Sequence, residues 1–346
     1  MESRDNEWIG YKIRLGGMEM GVRVAFVGVG GIAQTHLKAL SSNEHAEVVA
    51  ACDVVMERAE AAGQAYGLKA YNDVDLMLER ENPDALFICV PPFAHADLEE
   101  KAVSRGIHLM VEKPLGLDID VIRSKAAAIR QAGILAASGY CLRYQDVAEQ
   151  ARSYLSDKEI GMVRAHYLCG FVETPWWRDI TKSGGQLVEQ ATHTVDMTRY
   201  LAGEVKSVYA RMRFGLLEHK PGASIPSVAT VCLDFESGAI GHIDTSCIQS
   251  DWSSSVEVLG RDYKLTLSGR KLTILEGEET TTYESKSGSS YQAQDDAFIE
   301  AIRTGDRSLI RSTYEDALRT AEVTLAANES ALTGIPVVMR GHVYSS

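Results

Sequence analysis

The run Val22-Arg23-Val24-Ala25-Phe26-Val27, continued by Gly28-Val29-Gly30-Gly31-Ile32-Ala33, decides the fold. Residues 22–27 are apolar and β-branched and stop at glycine, as a buried strand of a parallel sheet does. The continuation matches G-x-G-x-x-A and opens a helix over 32–39. Gly28 permits the tight turn, Gly30 lets the backbone approach a pyrophosphate, and the small Ala33 allows close helix packing. The amides around Gly31, Ile32 and Ala33 sit at a helix N-terminus, where the dipole favours an anion. A second strand over 47–53 closes on Asp53, 20 residues past Ala33. A carboxylate there accepts hydrogen bonds from a ribose diol and repels a 2′-phosphate, so NAD is expected over NADP. Arg58 is the counter-signal, since an arginine near this position can neutralise such a phosphate.

The alternation continues outward from this unit. Helices are predicted over 58–66, 74–79, 96–105 and 118–132, and strands over 69–71, 85–90, 108–112 and 134–140. That rhythm implies an α/β fold with a doubly wound parallel sheet, the Rossmann arrangement. Beyond residue 144 the pattern changes to a helix over 147–156 and longer strands over 162–172, 205–215, 227–236, 239–247, 255–260 and 264–269. Several alternate apolar with polar residues, which predicts an α+β unit with an open, mostly antiparallel or mixed sheet. Residues 184–203 read as one helix, and the C-terminal helix stops at Gly334 and Pro336. The expected organisation is an extension at 1–20, a nucleotide-binding domain at 21–144, and a substrate-binding and oligomerisation domain at 145–346.

At 346 residues the chain exceeds what one hydrophobic core usually serves, which agrees with two domains. A net charge of −13 argues against nucleic acid, whose phosphates are held by Lys and Arg. No apolar run reaches the length of a membrane helix, and the first 20 residues lack the apolar stretch of a signal peptide, so a cytoplasmic protein without a membrane partner is expected. Six cysteines, at 52, 89, 141, 169, 232 and 247, form no C-x-x-C pair and read as reduced thiols. No metal site is expected: Asp196 follows His193 by three residues, but no further ligand stands at metal spacing.

Glu112-Lys113-Pro114 ends the fifth strand, at the carboxyl edge where ligands of open α/β sheets bind. In the second domain Glu189 and His193 stand four residues apart, so on one helix they share a face and the acid can orient the imidazole for proton transfer.

In order, GVGGIA, Asp53, VPPFAH (90–95), VEKPLG (111–116) and SGGQLVEQATHTVD (183–196) resemble the glucose-fructose oxidoreductase, inositol dehydrogenase and rhizopine catabolism protein (Gfo/Idh/MocA) family, over about residues 22 to 340. The resemblance implies a dehydrogenase that moves hydride between NAD and a secondary hydroxyl of a sugar or cyclitol such as inositol. Lys113 and His193 correspond to the family's catalytic lysine and histidine. Glu189 and Ala191 replace the aspartate and glycine that usually precede that histidine. The resemblance also sets Pro91, Pro92, His95, Glu112 and Lys113 along the nicotinamide end, and Arg143, Tyr144, Trp177 and Arg178 on the substrate side with Glu189. Trp177 would cover an apolar ring face. An open sheet face and the resemblance together predict a homodimer or homotetramer. A sugar-nucleotide or amino-sugar dehydrogenase, and a nucleotide-binding regulator without catalysis, stay open.

Overall fold

The computed structural model describes residues 21–339, and the expected extension at 1–20 lies outside them. Six strands form the first sheet: β1 (Val22–Val27), β2 (Ala46–Cys52), β3 (Lys69–Tyr71), β4 (Ala85–Ile88), β5 (His108–Val111) and β6 (Ala136–Ser138). All pair in parallel, in the order β3-β2-β1-β4-β5-β6. Helices α1 (Gly31–Leu40), α2 (Met56–Tyr66), α3 (Val74–Glu81), α4 (Leu98–Val103) and α5 (Ile119–Ala132) make the crossovers. Strand order reverses between β1 and β4, which opens a crevice at the strand C-termini. Val24, Ala25 and Phe26 are fully buried, as a central strand covered on both faces requires.

The second unit adds α6 (Asp146–Leu155), β7 (Ile160–Leu168), three helices, α7 (Ile180–Ser183), α8 (Gln186–Glu189) and α9 (Thr192–Ala202), then β8 (Val205–Arg213), β9 (Val228–Phe235) and β10 (Ile240–Ser246). It continues with β11 (Ser253–Gly260), β12 (Tyr263–Ser268), β13 (Lys271–Glu276), β14 (Glu279–Glu284), α10 (Ser290–Thr304), α11 (Tyr314–Thr333) and β15 (Val337–Val338). Its nine strands run β14-β13-β12-β11-β7-β10-β9-β8-β15. Only β7 and β10 pair in parallel, so the sheet is mixed and mostly antiparallel, as expected. One face buries Val163, Val231, Leu233, Ile243 and Val258 against Val147, Val195, Leu201 and Ala327 of α6, α9 and α11. The other face carries Arg164, Thr230, Asp234, His242, Asp244 and Glu257 and is far more polar than the oligomer expectation assumed. Among the described residues no helix is long and apolar enough to cross a membrane.

We propose residues 144 and 145 as the boundary between the sheets, with α10 and the first turns of α11 returning to the first one. Phe298, Ile299 and Ile302 join Val24, Phe26 and Phe87, and Tyr314 and Leu318 join Leu109 and Val111.

The helix predicted over 184–203 is broken between Glu189 and Thr192. In a continuous helix the Glu189 carbonyl would accept from the His193 amide. Here it accepts from the Lys113 ammonium at 2.8 Å, and the His193 amide donates to the Gln190 carbonyl instead. A contact from the other sheet thus decides the local structure.

Arg143, beyond β6, donates to both oxygens of Asp196 on α9, at 2.8 and 2.6 Å, and meets Asp316 of α11 at 2.5 Å. Stranding a buried charge costs about 3–5 kcal/mol, whereas an exposed pair contributes about 1 kcal/mol or less. Asp196→Ala should therefore lose about 3 kcal/mol or more in urea unfolding. Arg164→Ala, which removes the exposed pair with Glu257, should lose at most about 1 kcal/mol. Equal losses would contradict this account of the hub.

Candidate active site

The nucleotide end begins with the glycine loop. Gly28 has φ +81°, and a Cβ there would lie 2.6 Å from the Cys89 carbonyl oxygen, so both conformation and space demand glycine. Gly30 and Gly31 differ: a Cβ on either would meet no protein atom within 4 Å, so they border open space. Helix α1 starts there with no side-chain cap and no acid in its first turn. Its first amides and its positive dipole end thus remain available for an anion. Asp53, buried at the end of β2, accepts from the Val29 amide at 3.0 Å and the Val55 amide at 2.9 Å. The carboxylate braces the glycine loop while each oxygen keeps capacity for a ribose hydroxyl. Arg58 is exposed on α2. Open glycines, an uncapped helix end and a placed acid fit a dinucleotide.

Pro91 precedes the turn Pro92–Ala94, and the His95 that follows is buried. His95 Nδ1 pairs with Glu99 at 2.8 Å, Glu99 accepts from Lys125 at 2.6 Å, and Lys125 donates to the Ala96 carbonyl at 2.7 Å. This chain anchors the loop, including Ala96 at φ 42°. Glu112 departs from expectation. Its carboxylate points into the interior, 3.1 Å from His36 Nε2, and accepts from the Lys113 amide at 3.0 Å, so both oxygens are engaged within the protein.

Lys113 follows β5, and its peptide bond to Pro114 is cis. Its Nζ crosses to the second unit and donates to the Glu189 carbonyl at 2.8 Å and to Glu189 Oε1 at 3.1 Å. Burial alone would depress this ammonium, but the Glu189 and Glu112 carboxylates outweigh it and hold the pKa above the ordinary lysine value. Glu189 Oε2 accepts from the Trp177 indole at 2.8 Å. The carboxylate therefore holds the lysine, not the His193 imidazole, because the helix break separates the two residues. His193 lies edge-on to Tyr140, and its buried Nδ1 has no hydrogen-bond partner. Burial, then the nearby Lys113 charge, lowers its pKa to about 3. It is therefore neutral at pH 7.

On the substrate side the structure corrects the sequence reading. Trp177 is 1% exposed and packs with Cys169, Leu217 and Ile225, so it is core and no sugar platform. Its neighbour Trp176 instead faces Phe93 of the first unit, ring centroids 6.3 Å apart. Arg178 is occupied by Glu173 and the Pro221 carbonyl. Arg143 is the buried hub described above, and the Tyr144 hydroxyl accepts from the Arg311 amide at 2.9 Å. Neither is free for a ligand.

One residue that the sequence did not suggest interacts with Lys113, and a second lies next to it. Tyr167 of β7 feels its charge, and Trp252, 58% exposed, lies 6.1 Å from Tyr167. Alternation along β7 could have placed Tyr167 on one face, but nothing local tied it to Lys113.

Residues 22–140 match the model of an oxidoreductase family with an NAD-binding Rossmann fold, and residues 149–266 match a GFO/IDH/MocA C-terminal domain. The chain is 28% identical over 336 residues to scyllo-inositol 2-dehydrogenase (NAD(+)) of Bacillus subtilis, covering 92% of this chain and 97% of that protein. Among solved structures, a putative myo-inositol dehydrogenase from Sinorhizobium meliloti superposes with a TM-score of 0.79 at 25% identity, covering 92% of this chain and 100% of the other. Levoglucosan dehydrogenase in complex with NADH and L-sorbose, at 18% identity, shares the fold with a TM-score of 0.84 over 92% of this chain and 99% of the other.

The two glycine environments predict opposite phenotypes. Gly28→Ala should lower stability by about 1–3 kcal/mol, from the strained φ and the overlap with Cys89. Gly30→Ala should unfold like wild type yet bind NADH at least about tenfold more weakly, because its methyl would occupy space the backbone leaves for a pyrophosphate. Thermal melts and NADH fluorescence titrations check both, and unchanged NADH binding by Gly30→Ala would refute the cradle.

Proposed function

The chain belongs to the Gfo/Idh/MocA oxidoreductase family, and from that premise we propose that it is an NAD-dependent dehydrogenase oxidising a secondary hydroxyl of a cyclitol or free sugar. The observation that carries this reading is the Lys113 ammonium, held by Glu189 beside a neutral His193 at the carboxyl edge of the nucleotide sheet. The named relatives favour inositols within the substrate class.

When bound, NAD supplies the hydride acceptor. Lys113 then donates to the reacting hydroxyl oxygen and stabilises the negative charge that develops on it. His193 is neutral and is the group we assign to take the hydroxyl proton. With a pKa of about 3 it is a weak base in the free site, and the negative charge that develops on the reacting oxygen beside it would stabilise the imidazolium. Glu189 positions Lys113 by holding its Nζ, and Trp177 in turn holds Glu189 through the indole N–H. Tyr167 and the exposed Trp252 offer a hydroxyl and a ring face to a polyol. A sugar nucleotide or amino sugar is the alternative substrate. A regulator without catalysis fits less well, since both Lys113 and His193 are present and close enough to interact.

We also propose self-association as a homodimer or homotetramer through the outer face of the nine-stranded sheet. Met162 and Ile240, paired on its central strands and more than a third exposed, support this reading. Light scattering should give at least a dimer at micromolar protein, and a monomer would end this part.

A panel of cyclitols, hexoses, deoxy sugars and sugar nucleotides with NAD, read by NADH absorbance, should show its highest kcat/KM with a cyclitol or free sugar. With that substrate Lys113→Ala and His193→Ala should each lose about 10²–10⁴-fold in kcat while still binding NADH. Near wild-type turnover in either variant would remove that residue from the reaction, and silence across the panel would favour the regulator.

A further inference from the structure

We propose that His36 and Asp295 form a buried strut that positions Lys113 through Glu112, a role that rests on the catalytic reading of Lys113 above. Three segments far apart in sequence meet here: α1 brings His36, the end of β5 brings Glu112, and α10 brings Asp295. His36 Nδ1 lies 2.8 and 3.0 Å from the two Asp295 oxygens, and Nε2 lies 3.1 Å from Glu112 Oε1. The other Glu112 oxygen accepts from the Lys113 amide at 3.0 Å. His36 and Asp295 are completely buried and Glu112 nearly so.

With a carboxylate at each ring nitrogen, both nitrogens donate and His36 is an imidazolium. Burial opposes that charge, but Asp295 and Glu112 overcome it and raise the pKa to about 10. The ring has little freedom, since Phe87 and Tyr291 meet it edge-on at 5.5 and 5.6 Å. Gly139 closes the other side, where any Cβ would overlap the Glu112 carboxylate.

Burying three ionisable groups is costly, and apolar side chains of similar volume can fill such a space at no loss of stability. Direction is what the charged trio adds, because Glu112 can hold the Lys113 backbone only while its other oxygen is fixed. The lysine is thereby held at both ends, its amide by the strut and its ammonium by Glu189. A displacement of about 1 Å in a reacting group can cost on the order of 100-fold in rate.

Two substitutions separate positioning from packing. In His36→Gln the amide nitrogen reaches about where Nε2 sits and can still donate to Glu112. In His36→Asn it reaches about where Nδ1 sits, so the bond to Asp295 survives and the bond to Glu112 is lost. Both variants lose the imidazolium, and both should melt below wild type. With NAD and the panel's best polyol, His36→Asn, which loses the direct bond to Glu112, should lose about 10- to 100-fold in kcat, and His36→Gln, which loses only the anchoring bond to Asp295, should lose several-fold less than that, with the Kd for NADH unchanged in each. Equal kcat in the two variants, or a wild-type rate in His36→Asn, would overturn the strut.

Should His36→Asn fail to fold, Glu112→Gln replaces it. That variant keeps the volume but loses one of the two acceptors the residue needs, so kcat should fall about tenfold or more, and a wild-type rate would overturn the proposal. Full activity in Lys113→Ala would instead sink the catalytic reading and the strut's role with it. That variant is measured separately, so the two failures are distinguishable.

Discussion

An ammonium withdrawn from water between two sheets keeps its charge only if carboxylates and carbonyls reach it, and much of the cleft follows from meeting that demand at Lys113. Glu189 supplies both a carboxylate oxygen and its own carbonyl. Giving up that carbonyl breaks the helix before Thr192 and sets His193 at the start of a new one. The second carboxylate oxygen takes the Trp177 indole N–H, which draws that ring into the core. The Lys113 charge, added to burial, keeps His193 neutral. One desolvated charge thus orders a helix boundary, a tryptophan and a neutral imidazole.

The same accounting governs the other buried ions, and each joins segments distant in the chain. Arg143 ties the end of the first sheet to α9 and α11. Lys125 and Glu99 fix the loop at His95 from α5 and α4. His36 joins α1 to α10 and to the strand that carries Lys113. These pairs lie between layers, where one missing partner strands a charge, so the layers are held in one relative arrangement.

Several side chains that read as ligand contacts prove to be occupied by the protein itself. Arg143, Tyr144, Arg178 and Glu112 are polar residues near motifs, the features by which a binding residue is recognised in a sequence. Each is instead held by partners within the protein. The tryptophan pair shows how fine the distinction is. Trp176 and Trp177 are adjacent, yet one faces Phe93 across the cleft and the other is sealed in the core.

What the sequence determined by itself rests on short-range rules. Apolar runs ending in glycine set the strands around β1, the G-x-G-x-x-A spacing placed the turn that Gly28 makes, and an acid 20 residues past Ala33 fell at the end of β2, where it braces that turn. The alternation of strands and helices carried the first sheet, and the E-K-P and glycine-rich segments carried the family. Tertiary structure decided the rest. The break after Glu189, the inward turn of Glu112, the fate of Trp177 and the strut of His36 and Asp295 depend on partners between 12 and 259 residues away. His36 left a faint trace, an imidazole on the apolar side of α1 beside Ala33, Leu37 and Leu40. Asp295 left none. Spacing reports which residues share a face of one element, but whether a buried charge is paired depends on which elements the fold packs together.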